Sequence, residues 1–194
     1  MNANDRAHPH PHAVQFYGDS ASLCRRVASF LTAGLASGEP AIVIAAGEHR
    51  DGIVNELDAR LIDVAHARRV GELVLLDAEE TLGALMIGGT PDPYLFHSYM
   101  GTIFDQVAKG RPRTGIRAYG EMVDLLWKTG QAEAAIKLEI LWNALATKFA
   151  FSLLCGYSMG QFYKQPDLYR QVCEQHTAVF DVDSDLLSPT ITTA

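Results

Sequence analysis

TGIRAYGEMVDLLWKTGQAEAAIKLEILWNALATKFAFSLLCGY, residues Thr114–Tyr157, decides the fold. It opens on a short apolar run, Ile116 to Tyr119, meets Gly120, Glu121 and Met122, and continues through a helix-like segment to a second apolar run, Phe149 to Tyr157. Strand, helices, strand is the simplest reading. Two aliphatic strands joined by a helical crossover belong in a parallel sheet covered on both faces. In open sheets of that kind ligands sit beyond the carboxyl ends of the strands. Here those ends carry Tyr119, Glu121, Cys155 and Tyr157.

The same alternation extends toward the N-terminus. Ala13 to Tyr17 is a short apolar run closed by the turn Gly18-Asp19-Ser20. Leu23, Val27, Phe30, Leu31 and Leu35 then follow helical spacing, with Gly34 and Gly38 read as the end of that helix. AIVIAA at Ala41 is an uninterrupted aliphatic strand. A second helix is expected over Glu48 to Ala67, with Ile53, Leu57, Leu61 and Val64 inward, and a third aliphatic strand over Leu73 to Leu76. Helices are expected at Ala78 to Ile87 and Tyr94 to Lys109, separated by the break Gly88 to Pro93. Beyond the quoted stretch, Met159 to Tyr163 and Pro166 to His176 read as short helices. This alternation predicts one α/β domain, three layers deep, with a mostly parallel central sheet. Residues 1–11 read as a flexible arm, 12–180 as the domain and 181–194 as a flexible tail.

Composition narrows the function. A chain of 194 residues can bury a proper core. A net charge of -7 argues against nucleic acid as the partner, because phosphate binding needs clustered Lys and Arg. No apolar run approaches the roughly 20 residues a membrane span requires, and the N-terminus has no basic-then-apolar leader. Cys24, Cys155 and Cys173 are sparse and lack metal-ligand spacing, which suits free thiols in a reducing cytoplasm. His8, His10 and His12 alternate with prolines, but a flexible tail lacks the oriented ligands of a specific metal site. No metal and no cofactor are expected.

There is no GxxxxGK[ST] phosphate loop and no CxxC, and Ser158-Met159-Gly160 after a strand is not read as a nucleophile elbow, so the chain reads as non-enzymatic. The carboxylates stand out instead. Glu48, Asp77 and Glu121 each follow an aliphatic strand, and a parallel sheet would bring them to one rim. Glu48 equally suits the first turn of a helix. Arg117 precedes Glu121 by four, suggesting a pair, and Glu139 lies within AAIKLEILWNAL, either exposed beside Lys137 or paired. Cys155 reads as a small buried hydrophobe. Phe16, Tyr17, Phe96, Tyr119, Trp127, Trp142 and Tyr157 either line a pocket or fill the core.

HAVQFYGD at His12, FLTAGLASGEPAIVIAAGEHRDGI at Phe30, IRAYGEMVDLLW at Ile116, LEILWNAL at Leu138 and FSLLCGYSMGQF at Phe151 together resemble the MEDS family. Its members are sensory domains of regulators of the DcmR type from methanogens and methylotrophs and of many bacterial signalling proteins, often joined to histidine kinase modules. The resemblance implies a RecA-like, KaiC-type fold without the Walker A loop, and a sensor for small, hydrocarbon-type molecules. By position, His12, Phe16, Tyr17, Glu48, Arg117, Gly120, Glu121, Glu139, Asn143, Cys155 and Tyr157 match the family's recurrent residues. The expected ligand-binding set is His12, Tyr17, Glu48, Arg117, Glu121, Glu139, Asn143, Cys155 and Tyr157. The sequence has neither a helix-turn-helix nor a kinase module, so output is expected to pass through a separate histidine kinase or transcriptional regulator. Homo-oligomerisation is an open expectation. The competing readings are a ligand-free docking module and a residual nucleotide binder.

Overall fold

The computed structural model describes residues 11–111, 115–160 and 166–182. In chain order the elements are β1 (His12–Tyr17), α1 (Ser20–Ala36), β2 (Ala41–Ala45), α2 (Gly47–Ala59), α3 (Val64–Arg69), β3 (Leu73–Asp77) and α4 (Ala78–Leu85). There follow β4 (Met86–Ile87), β5 (Thr90–Pro91), α5 (Pro93–Ala108), β6 (Ile116–Gly120), α6 (Met122–Lys128), α7 (Ala132–Leu145), β7 (Phe151–Ser158), α8 (Pro166–Glu174) and β8 (Ala178–Phe180). The main sheet has six strands in the order β3-β2-β6-β7-β1-β8. Every neighbouring pair in it runs parallel.

The strand period of two sorts side chains into two cores. Ile42 and Ile44 of β2 face one side with Val14, Phe16, Leu153, Cys155 and Tyr157, under α4 to α8. Ala41, Val43 and Ala45 face the other with Leu154 and Tyr119, under α1, α2 and α3. All of β2 is buried, as an aliphatic run without alternation requires. The result is the three-layer α/β/α arrangement expected, with a sheet that is parallel throughout.

Aspartates set the helix starts. Asp19, Asp63, Asp77 and Asp92 cap α1, α3, α4 and α5, each accepting a backbone N–H of the first turn, an interaction worth about 1 kcal/mol apiece. Several boundaries differ from expectation. The helix read as Glu48 to Ala67 is two, because Leu61 takes φ 63 and Ile62 N–H returns to the Leu57 carbonyl, closing α2. Leu61, expected inward, is 94% exposed. The helix read to Ile87 stops at Leu85, and Met86 and Ile87 pair with Pro91 and Thr90 across Gly88 and Gly89, both at positive φ. Gly34 lies inside α1 rather than ending it; a methyl group there would overlap Arg117, which crosses the helix at that point.

Strand β8 was not expected at all. It pairs with the outer edge of β1, Val14 opposite Val179. Of the helix expected at Met159–Tyr163, Met159 and Gly160 form a short turn and the rest lies outside the described residues. The expected arm and tail also fall outside them, apart from Pro11, Asp181 and Val182. Among the described residues no helix is long and apolar enough to cross a membrane.

Candidate functional site

The connections after β1 and β2 run over one face of the sheet, and those after β6 and β7 over the other. The carboxyl ends of β2 and β6 therefore border a switch in direction, where open α/β sheets form ligand crevices. Glu121 sits in that crevice. Its N–H donates to the Ile44 carbonyl at 3.1 Å, and one carboxylate oxygen accepts the Ala46 N–H. The other accepts the Tyr119 hydroxyl at 2.9 Å and meets His49 Nδ1 at 2.7 Å. His49 Nε2 then lies 3.0 Å from the Ser20 hydroxyl. Glu121 and His49 are both buried. The Glu121 hydrogen bond raises the His49 pKa against the opposing pull of burial, so the ring is drawn toward its protonated form.

Ser20 opens onto a cleft of about 540 Å³ between α1 and α2, lined also by Ala21, Cys24, Glu48, Asp51 and Asn55. Burial, with Glu121 nearby, pushes the Cys24 thiol up to about 11, so it stays protonated at neutral pH. Beside the crevice, Tyr17 donates to Asp124 at 2.8 Å. Asp124 also accepts the Ser158 N–H and hydroxyl and pairs with Lys128 at 2.7 Å. Burial and the Asp124 charge together drive the Tyr17 phenol well above its ordinary range.

A second polar group is buried on the opposite face of the sheet. Glu139 of α7 is completely buried. Tyr157 donates to its Oε1 at 2.9 Å, and Cys155 Sγ lies 3.3 Å from Oε2. His12 Nε2 stands 3.2 Å from Oε2 and His176 Nε2 3.4 Å from Oε1. Burial alone would raise the Glu139 pKa; His176 and His12 reverse that and hold the carboxyl well below the usual carboxylate range. Burial and the Glu139 charge push the Cys155 thiol far up. Asn143, one helical turn beyond Glu139, meets His12 Nδ1 at 2.8 Å. The ligand atoms of His12, Glu139, Cys155 and His176 all lie within 4.8 Å of one another.

The expected binding set thus divides. His12, Glu139, Asn143, Cys155 and Tyr157 come together on one face, whereas Glu121 and Tyr17 belong to the rim. Glu48 is exposed in the first turn of α2, on the cleft wall. Arg117 does not pair with Glu121. It reaches back to Glu39 at 2.5 Å and lies over the Phe30 ring, because residue 117 faces α1 near the start of β6. Glu139 is not exposed beside Lys137, and Cys155 is a polar partner as well as a core residue. Asp77 caps α4 and pairs with Arg50.

Sequence reading missed His49, Asp124 and His176. His49 stands four before Ile53 and eight before Leu57, on the buried stripe of α2, so helical phase would have preferred it to Glu48. Glu139 likewise continues the stripe of Ala135 and Trp142. Nothing in local spacing ties His176 to His12.

The parallel sheet between two helical layers defines a three-layer α/β module. The crystal structure of a KaiC-like protein from the hyperthermophilic archaeon Pyrococcus horikoshii OT3 superposes with a TM-score of 0.59 over 92% of this chain and 76% of that one, at 11% identity, a likeness of fold. The model of the MEDS family, the methanogen/methylotroph DcmR sensory domain, matches residues 11–177, and the chain belongs to that family. No curated protein matches the sequence.

Proposed function

We propose that this chain is a non-enzymatic sensory module that takes a small molecule in the cleft between α1 and α2 and passes its occupancy to a separate regulator. Family membership supports the sensory role. The observation that carries the location is the Ser20–His49–Glu121 relay. It links a side chain on the cleft wall to a buried carboxylate that also holds the backbone between β2 and β6. A ligand that engages Ser20 changes the His49 hydrogen bond and, through Glu121, the seating of α2 and α6 on the sheet.

The cleft wall carries Glu48, Asp51 and Glu56, which favours a neutral or cationic ligand over a phosphate. The N-terminus of α1 is capped by the Asp19 carboxylate, where a nucleotide phosphate would otherwise be drawn. Both features weigh against a residual nucleotide binder. A wholly apolar hydrocarbon would find a better match in a second pocket of about 410 Å³ near the amino end of β1, lined by Phe30, Ala33, Leu153, Leu154 and Phe180.

Native mass spectrometry of the protein isolated from its own host tests this. A co-purifying small molecule lost on Ala21→Trp, which fills the cleft, and retained on Ala33→Trp supports the relay. The reverse pattern moves the ligand to the apolar pocket and overturns it.

A further inference from the structure

We propose that His12, Glu139, Cys155 and His176 form a tetrahedral site for a zinc ion, buried between β1, β7, α7 and the α8–β8 connection. The inference is independent of the rim relay, which lies on the other face of the sheet.

Orientation is the first argument. His176 Nδ1 lies 2.7 Å from the Val172 carbonyl, which can only accept, so Nδ1 carries the hydrogen and Nε2 of the neutral ring presents a lone pair inward. Asn143 donates through Nδ2 to the Gln175 carbonyl at 3.1 Å, which turns its Oδ1 toward His12 Nδ1 and makes that nitrogen the donor. The Nε2 of His12 therefore also points inward. Metal-binding imidazoles are held in this way, the outer nitrogen fixed by a carbonyl or amide and the inner one free to ligate. Tyr157 holds Glu139 Oε1, leaving Oε2 beside His12 and Cys155.

Satisfaction is the second. His176 Nε2 has no hydrogen-bond partner, although its side chain is completely buried and aimed at the cluster. A buried polar nitrogen in that state costs about 1–3 kcal/mol unless something answers it.

Charge is the third. Two inward lone pairs against a carboxylate call for positive charge at the centre, from a bound cation or from a proton on one ring. Protonating both rings would place two positive charges 4.2 Å apart, centroid to centroid, against a single carboxylate in the core. A zinc ion with the Glu139 carboxylate and the Cys155 thiolate is neutral overall. On binding, the Cys155 S–H bond breaks, its electron pair forms the bond to zinc and its proton leaves to solvent.

Distance is the fourth. With zinc–nitrogen, –oxygen and –sulfur bonds of about 2.0–2.3 Å, the edges of a tetrahedron are about 3.3–3.7 Å. The His12–Glu139, His12–Cys155, Cys155–Glu139 and His176–Glu139 contacts are 3.2, 3.4, 3.3 and 3.4 Å, and all six edges lie within 4.8 Å. The mixed nitrogen, sulfur and oxygen donors suit zinc, which is borderline in softness, better than calcium or magnesium.

The test is to refold the full chain with Zn²⁺, dialyse it against metal-free buffer and measure bound metal by elemental mass spectrometry. The same is done with Co²⁺, read by absorption. A single zinc ion per chain is expected, and cobalt should give a thiolate charge-transfer band with the strong visible bands of a tetrahedral site. Those bands should persist in Cys24→Ser/Cys173→Ser, where Cys155 is the sole thiol, and in His8→Ala/His10→Ala. They should vanish in Cys155→Ser, and Asn143→Ala should weaken zinc binding about 10–100-fold. Absence of bound zinc in the refolded wild type overturns the site. So does loss of the bands in either double variant.

Discussion

His49 and Glu121 make a pH-dependent contribution to stability. Because Glu121 raises the His49 pKa, the folded chain holds that proton more tightly than the unfolded chain does. The contribution is complete below the ordinary histidine value of about 6.5. It is lost as pH rises through the higher folded value, so the urea midpoint should fall from pH 6 to pH 8. In His49→Gln that slope should flatten, and an unchanged slope would locate the titration elsewhere. Glu121→Gln removes the negative charge beside His49 and replaces with an amide donor one of the two oxygens that serve His49, Tyr119 and the Ala46 N–H. It should cost about 1–3 kcal/mol in denaturant unfolding. The residue types at the rim were legible in the sequence, since a carboxylate closing an aliphatic strand is conspicuous. Which neighbour it faces was not. Glu48 and His49 are adjacent in sequence but a helical step apart in direction, and only the buried spacing to Ile53 separates them.

At the scale of elements, glycines divide by what lies above them. A methyl group at Gly156 of β7 would stand 2.6 Å from the Tyr119 hydroxyl, which crosses that strand to reach Glu121. Gly156→Ala should therefore destabilise by about 1–3 kcal/mol through a displaced ring. Gly101, inside α5, has nothing within 4 Å of the same position. Gly101→Ala should stabilise by about 0.5–1 kcal/mol, and thermal unfolding of the pair would show shifts of opposite sign. The central strands were legible because runs such as AIVIA have one plausible home. Helix ends were less so. A continuous apolar period hid the break at Leu61, where a non-glycine residue adopts a left-handed turn. The crossover after β6, read as helical without a stated break, is divided by Gly130 into α6 and α7.

At the scale of the molecule, the class and layering followed from the alternation of strands and helices, whereas β8 did not. Ala178, Val179 and Phe180 are too few to show a period, and their strand identity comes from pairing with β1. That pairing seals an edge. Truncation after Thr177 should expose the β1 edge and uncover the core beneath Phe180, lowering the melting temperature and promoting self-association in light scattering. A monomer of unchanged melting temperature would show that β8 adds nothing.

The strand order also fixes a sequence of events during synthesis. Strands β2, β3 and β6 neighbour one another and can begin to associate once residue 120 is available. The earliest strand made, β1, has no partner among them; its neighbours are β7 and β8, the last to be made. An apolar segment beginning at His12 must therefore wait, its edges unpaired, until the rest of the domain has been made. The interval between making that strand and placing it is when the chain has most need of a chaperone.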